Sequence, residues 1–131
     1  MQSYEEKSFD IDAAIERGAY QAWNFGPRLL VDGKSTTEFN SSVKNKNPRC
    51  AIGYYAPGHY CFVLVDGRQS GYSSGMTLDE LSLLFESLGC IDAYNLDGGQ
   101  TAMMVFQGEV VNRPTNGGRK CSDIVGITEG N

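Results

Sequence analysis

Ala93-Tyr-Asn-Leu-Asp-Gly-Gly-Gln-Thr-Ala102 is the stretch around which the chain is organised. A short apolar run ends in a carboxylate, two glycines, an amide and a hydroxyl, and apolar residues resume from Ala102 to Phe106. Asp97 therefore stands where a buried strand gives way to a turn. Gly98 and Gly99 can take up positive φ or let another group approach the backbone closely. Two readings stand at this point. One is a tight turn that Asp97 caps through its own backbone, since Asp-Gly is also a hairpin signal. The other is a corner where a carboxylate, bare amides and the Thr101 hydroxyl hold an anionic or sugar-like ligand.

Upstream of this corner, Leu78–Leu88 reads as a helix. Thr77 is its N-cap and Glu80 completes a capping box, with Met76 and Leu81 spaced for a hydrophobic staple. Leu81, Leu84, Phe85 and Leu88 form one apolar face, and Gly89 ends the helix. Before it, Tyr60–Val65 is the strongest strand pattern in the chain, and it too ends in an acid–glycine corner, Asp66-Gly67-Arg68. Strand, helix, strand predicts a crossover in which 60–65 and 93–96 run roughly parallel. Asp66 and Asp97 then share one edge of a sheet, where ligands tend to bind in crossover-built folds.

The rest of the chain adds hairpins. Asp10–Trp23 is periodic enough for a helix capped by Asp10 or Asp12, weakened at Gly18. Arg28–Val31 is a strand closed by Asp32-Gly33. Asn47–Tyr55 pairs with 60–65 through Ala56-Pro-Gly-His59. Ala102–Phe106 and Glu109–Asn112 flank Gln107-Gly108, a Gly-rich loop with two arginines spans Arg113–Arg119, and Ser122–Ile127 reads as a last strand. Residues 1–9 are expected to order poorly, and 34–47 to form a surface loop. The expected fold is α+β: a mixed β-sheet with one strand–helix–strand crossover, several hairpins and two helices.

Length and composition narrow the function. The 131 residues suit a single domain, and 40% hydrophobic with 21% charged residues is ordinary for a globular protein. A net charge of −5 argues against a general nucleic-acid binder but permits a small phosphorylated ligand held by one or two arginines. Cys50, Cys61, Cys90 and Cys121 form no C-x-x-C pair, and His59 is the single histidine. This argues against zinc, and Cys61 and Cys90 read as buried thiols. No apolar run is long enough to span a membrane. Polar residues interrupt strand ends at Arg49, Asp66, Arg68, Asp97, Thr101, Asn112, Arg113, Ser122 and Asp123. Arginine forks hold phosphate, and a carboxylate can serve at an anomeric carbon. The same residue types at strand ends also pair with each other or cap turns.

Six segments in order resemble the phosphodiester glycosidase family: Asn47-Pro-Arg-Cys-Ala-Ile-Gly53, Val65-Asp-Gly-Arg-Gln69, Gly75-Met-Thr-Leu-Asp-Glu-Leu81, Asn95-Leu-Asp-Gly-Gly-Gln-Thr101, Val111-Asn-Arg-Pro114 and Ser122-Asp123. Trp23-Asn-Phe-Gly-Pro-Arg-Leu-Leu-Val-Asp-Gly-Lys34 looks like the family's approach to them. The resemblance implies hydrolysis of a sugar-1-phosphodiester to free sugar and a phosphate monoester, with no cofactor. It points to Asp97 and Asp66 as catalytic carboxylates, and to Arg49, Arg68, Gly98, Gly99, Thr101, Asn95 and Arg113 as substrate-binding. It implies a sugar-phosphate or exopolysaccharide partner and a bacterial, extracellular or cell-surface setting.

Two departures qualify what the resemblance implies. Gln100, Ala102 and Met103 replace a more hydroxyl-rich run, and Cys50 stands where threonine is common. An early Asn-Gly-Gly-Phe-Phe-like segment of the family has no counterpart, so residues 1–131 read as the C-terminal portion of a larger domain, inactive alone if the other part lends site residues. Two alternatives follow: a non-catalytic glycan- or phosphate-binding module, and a metal-dependent phosphodiesterase with Asp66 and Asp97 as oxygen ligands.

Overall fold

The computed structural model describes residues 1–4, 8–36 and 39–128; parts of the expectations for 1–9 and 34–47 lie outside them. A five-stranded sheet is built from β1 (Arg28–Val31), β2 (Lys34–Ser35), β3 (Arg49–Ala56), β4 (His59–Val65) and β5 (Asp92–Leu96), in the order β2-β1-β5-β3-β4. A separate hairpin pairs β6 (Val105–Phe106) with β7 (Glu109–Val110). The helices are α1 (Ile11–Glu16) and α2 (Leu78–Ser87). The α+β fold is as expected, and the crossover needs one refinement. β4 and β5 do run parallel, but β3 lies between them and pairs antiparallel with both. The sheet is thus antiparallel at every pairing, and the connection from β4 to β5 skips past β3, with α2 itself packed on β1 and β2.

Helix α2 forms where its N-terminal signals place it. The Thr77 hydroxyl accepts from the Glu80 amide and the Glu80 carboxylate accepts from the Thr77 amide, which satisfies two otherwise orphaned donors. Its buried face is Leu78, Leu81, Ser82 and Phe85, turned slightly from the expected one; Leu88 is 44% exposed. The turn is explained by Ser82, whose buried hydroxyl donates to the Leu29 carbonyl at 2.5 Å and to that of Thr36 at 3.2 Å. A hydroxyl that fastens helix to strand is invisible to an apolar-periodicity count.

The core lies between α2 and one face of the sheet: Leu29, Leu30, Ala51, Ala93 and Cys90 meet Leu78, Leu81 and Phe85, with Phe39 sealing one side. Gly53 on β3 lies tightly against the helix side of the core. A methyl there would sit 2.7 Å from the Phe85 ring and from Cys90 Sγ, and 2.8 Å from Cys61 Sγ.

Three local expectations are corrected. α1 stops at Glu16 and buries none of its residues, so the apolar spacing to Ala22 has nothing to pack against; Ile11 and Ile15 are both more than 60% exposed. Residues 122–127 form no strand, because no sheet edge pairs with them, and Ile124 and Ile127 are exposed. Near the start, Ser3 is tied down: its hydroxyl donates to Asp92 at 2.6 Å and accepts from Arg28 Nε at 2.7 Å. Gly53→Ala should overpack the helix–sheet contact and cost about 1–3 kcal/mol. Urea unfolding checks this through a lower midpoint with an unchanged slope.

Candidate active site

Both acid–glycine corners lie at the edge where β4 and β5 end and β3 begins, with Arg49 opposite Val65 and Cys50 opposite Leu96. The corners close on one residue, the buried Pro48. A Cβ at Gly67 would meet Pro48 N at 2.7 Å, and one at Gly98 would meet the Pro48 carbonyl oxygen at 2.5 Å. The Gly99 amide also donates to that carbonyl at 3.0 Å. Gly99 itself has φ +63, outside the range most side chains adopt, and begins a 3-10 turn to Thr101.

This packing opens a cleft of about 420 Å³ lined by Arg49, Arg68, Asp97, Gly98 and Gly99 from the expected set. Arg49 is 3% exposed, yet its guanidinium meets only carbonyls: Met76 at 2.8 Å, Val43 at 2.7 Å and Asn45 at 2.5 Å. Arg68 has φ +54, and its guanidinium donates twice to Asn47 Oδ1, at 3.1 and 2.8 Å, while lying against Gly99. Neither arginine belongs to an ion pair among the described residues. Burial lowers the pKa of Arg49, and the nearby positive charge of Arg68 lowers it further. Two guanidiniums without a carboxylate partner leave an unneutralised positive field in the cleft, the arrangement that an anion completes.

Asp97 is the acidic group of the cleft and is about half exposed. Its Oδ2 accepts from Arg119 at 3.2 Å. Burial raises the pKa of the neighbouring Cys50 thiol, and the Asp97 charge raises it further. Arg119 is the residue that strand-end reasoning missed. It arrives because loop 113–119 folds back: the buried Thr115 hydroxyl donates to the Gly67 carbonyl and the Arg119 amide to the Gln100 carbonyl. Its signal was the pair of arginines in a Gly-rich loop.

The remaining expected residues have other partners and do not line the cleft. Asp66 accepts from Asn112 Nδ2 at 2.8 Å, the Arg113 amide at 2.9 Å and the Tyr72 hydroxyl at 3.0 Å. Arg113 lies over the Tyr72 ring, 5.0 Å from its centroid. Asn95 is buried; its Nδ2 donates to the Gly26 carbonyl at 2.7 Å, and its Oδ1 has no partner among the described residues. The Thr101 hydroxyl turns back to the Gly98 carbonyl at 2.7 Å. Among the described residues no group of three or more His, Cys, Asp or Glu side chains converges as a metal-binding cluster.

An α+β domain with two arginines and a carboxylate at a shared sheet edge is what the fold and the cleft define, and comparison with known proteins makes the class specific. The chain belongs to the phosphodiester glycosidase family, whose pattern matches residues 3–128. It is 36% identical over 120 residues to YomE, an uncharacterised prophage-derived protein of Bacillus subtilis strain 168, covering 89% of this chain and 18% of that protein. The catalytic domain of zebrafish N-acetylglucosamine-1-phosphodiester alpha-N-acetylglucosaminidase, auto-inhibited by its pro-peptide, superposes with a TM-score of 0.57 and 26% identity, over 67% of this chain and 33% of that one. A Burkholderia pseudomallei protein described as exported gives a TM-score of 0.50 and 38% identity, over 53% of this chain and 14% of that one. The chain therefore spans a third or less of the length of these relatives. Among the described residues no helix is long and apolar enough to cross a membrane.

The three hydrogen bonds to Asp66 have a pH signature. Burial alone would raise its pKa, but the bonds from Asn112, the Arg113 amide and Tyr72 outweigh it and leave the value below the ordinary 3.8. The charged form therefore adds stability that is complete above 3.8 and is lost as pH falls through the lower, folded-state value. Asp66→Asn should cost about 1–3 kcal/mol at neutral pH. The gap to the unsubstituted protein should close on acidification through that window, measured by denaturant midpoints at successive pH values.

Proposed function

We propose that the cleft serves hydrolysis of a sugar-1-phosphodiester, at the bond between the anomeric carbon and the phosphate oxygen. The observation that carries this reading is the pair of guanidiniums, Arg49 and Arg68, unneutralised and lining one cleft with Asp97. The phosphate occupies the arginine side, where the two forks take up the charge that builds on the departing oxygen. A phosphate monoester leaves with less need of protonation than an alcohol, so one carboxylate suffices at the reacting centre. Asp97 is that carboxylate, as base toward water or as the nucleophile itself; these differ in the stereochemistry of the released sugar. The Arg119 contact orients the Asp97 carboxylate. Gly98 and Gly99 let the turn close on Pro48 and bring Arg68 beside the Asp97 corner. Asp66, Asn95, Thr101 and Arg113 act by positioning: Asp66 gathers Asn112, Arg113 and Tyr72, while Asn95 and Thr101 shape the corner around Asp97.

Family membership supports the substrate class, and the relative described as exported supports action outside the cell on a sugar-phosphate or exopolysaccharide substrate. The fraction of each relative that the chain spans supports its being one part of a larger whole. The Asp97–Arg119 ion pair also fits a second reading, a binding module in which the carboxylate is spent on structure.

The assay measures free sugar released from a hexose-1-phosphodiester. Asp97→Asn should lower kcat by about 100-fold or more while phosphate binding persists. Arg68→Ala should raise KM and weaken inorganic phosphate binding. Turnover within a few-fold of the unsubstituted protein in Asp97→Asn would remove Asp97 from the chemistry. Phosphate binding with no turnover by the unsubstituted chain would favour the binding module.

A further inference from the structure

A second cavity of about 330 Å³ adjoins the arginine cleft, and Phe25, Ser42 and Val43 line both. Its chemistry differs from that of its neighbour. Asn24, Asn40, Ser41 and Tyr94 contribute amide and hydroxyl groups, and Phe25 and Tyr94 contribute aromatic rings. Arg28 is its one charged residue, and that guanidinium donates to Ser3. The side chains of Asn24, Asn40 and Ser42 hydrogen-bond to no other described residue. Amides and hydroxyls both donate and accept, which suits the alternating hydroxyls of a sugar ring, and an aromatic ring suits its apolar C–H face.

The walls of this cavity are held by the neighbouring site. Asn95 clasps the 25–27 segment on three sides: Nδ2 to the Gly26 carbonyl at 2.7 Å, the Gly26 amide to the Asn95 carbonyl at 3.0 Å, and the Asn95 amide to the Pro27 carbonyl at 3.1 Å. Arg49 holds the facing loop through the Val43 and Asn45 carbonyls. Asn95, two positions before Asp97 near the end of β5, and the buried cation of the cleft therefore set the spacing of the second cavity. Ordering both walls before a ligand arrives lowers the entropic cost of binding.

We propose that this cavity is the sugar subsite, a pocket of amides, hydroxyls and aromatic rings that takes a hexose ring while its anomeric phosphate lies among Arg49, Arg68 and Arg119. The proposal rests on the anion-binding reading of the arginine cleft and not on catalysis. Asn24, Asn40 and Ser42 then set which sugar is accepted.

Equilibrium binding tests it, using inorganic phosphate and the 1-phosphates of glucose, galactose and N-acetylglucosamine as probes. At least one hexose 1-phosphate should bind about tenfold tighter than inorganic phosphate. The Asn24→Ala/Asn40→Ala double variant should lose that advantage while its affinity for phosphate stays within about twofold. Both positions are exposed and their side chains bond to no other described residue, so the fold should survive, and circular dichroism checks that. Three results would overturn the subsite: no hexose 1-phosphate preferred over phosphate, the preference intact in the folded double variant, or no phosphate binding at all. If the preference is present and lost in the double variant, the subsite stands, even where no phosphodiester is hydrolysed and the proposed activity fails.

Discussion

Two glycines pressed against one proline hold this architecture together. Pro48 directly precedes β3, and the turns that end β4 and β5 both close on it through a bare Cα, at Gly67 and Gly98. Any side chain at either position would force the corresponding strand end away. The contact brings three strand termini to one point, and each contributes a polar residue from beside the contact: Arg49 follows Pro48, Arg68 follows Gly67 and Asp97 precedes Gly98. The cleft is a direct consequence of that closure. Its polar groups are carried on a rigid sheet edge, and the 113–119 loop adds Arg119 once Thr115 has locked onto Gly67.

The electrostatics run against the bulk composition. The chain carries a net charge of −5, yet its cleft gathers three arginines around one carboxylate. Burying Arg49 without a counter-ion is unfavourable, and three backbone carbonyls offset only part of that cost. A bound anion would supply the rest. The same three bonds order the loop that walls the adjoining cavity, so charge in one compartment and shape in the next depend on one side chain.

Local elements were legible because their signals are local. The capping box of α2, the β3–β4 hairpin and the acid–glycine corners each rest on residues close in sequence, and they formed where the spacing placed them. The shared edge of the two corners was legible too, since a crossover constrains strand direction. Patterns that need a distant partner misled: the apolar spacing of 17–22 and of 122–127 met no surface to pack on, and Ser82 entered the core through a hydrogen bond to β1.

The amino-acid sequence by itself determined the family, the α+β class, the two corners and the arginines that accompany them, because ordered motifs and turn chemistry are properties of neighbouring residues. Only the tertiary structure decided how those polar groups are divided. Asp66 and Asp97 look alike as acid–glycine corners, yet Asp66 is engaged by Asn112, Arg113 and Tyr72 while Asp97 faces the cleft with Arg119. The difference arises from which loop folds over which corner. Apart from the Tyr72 bond, that is settled by contacts between residues more than 20 positions apart, which no reading of adjacent residues contains.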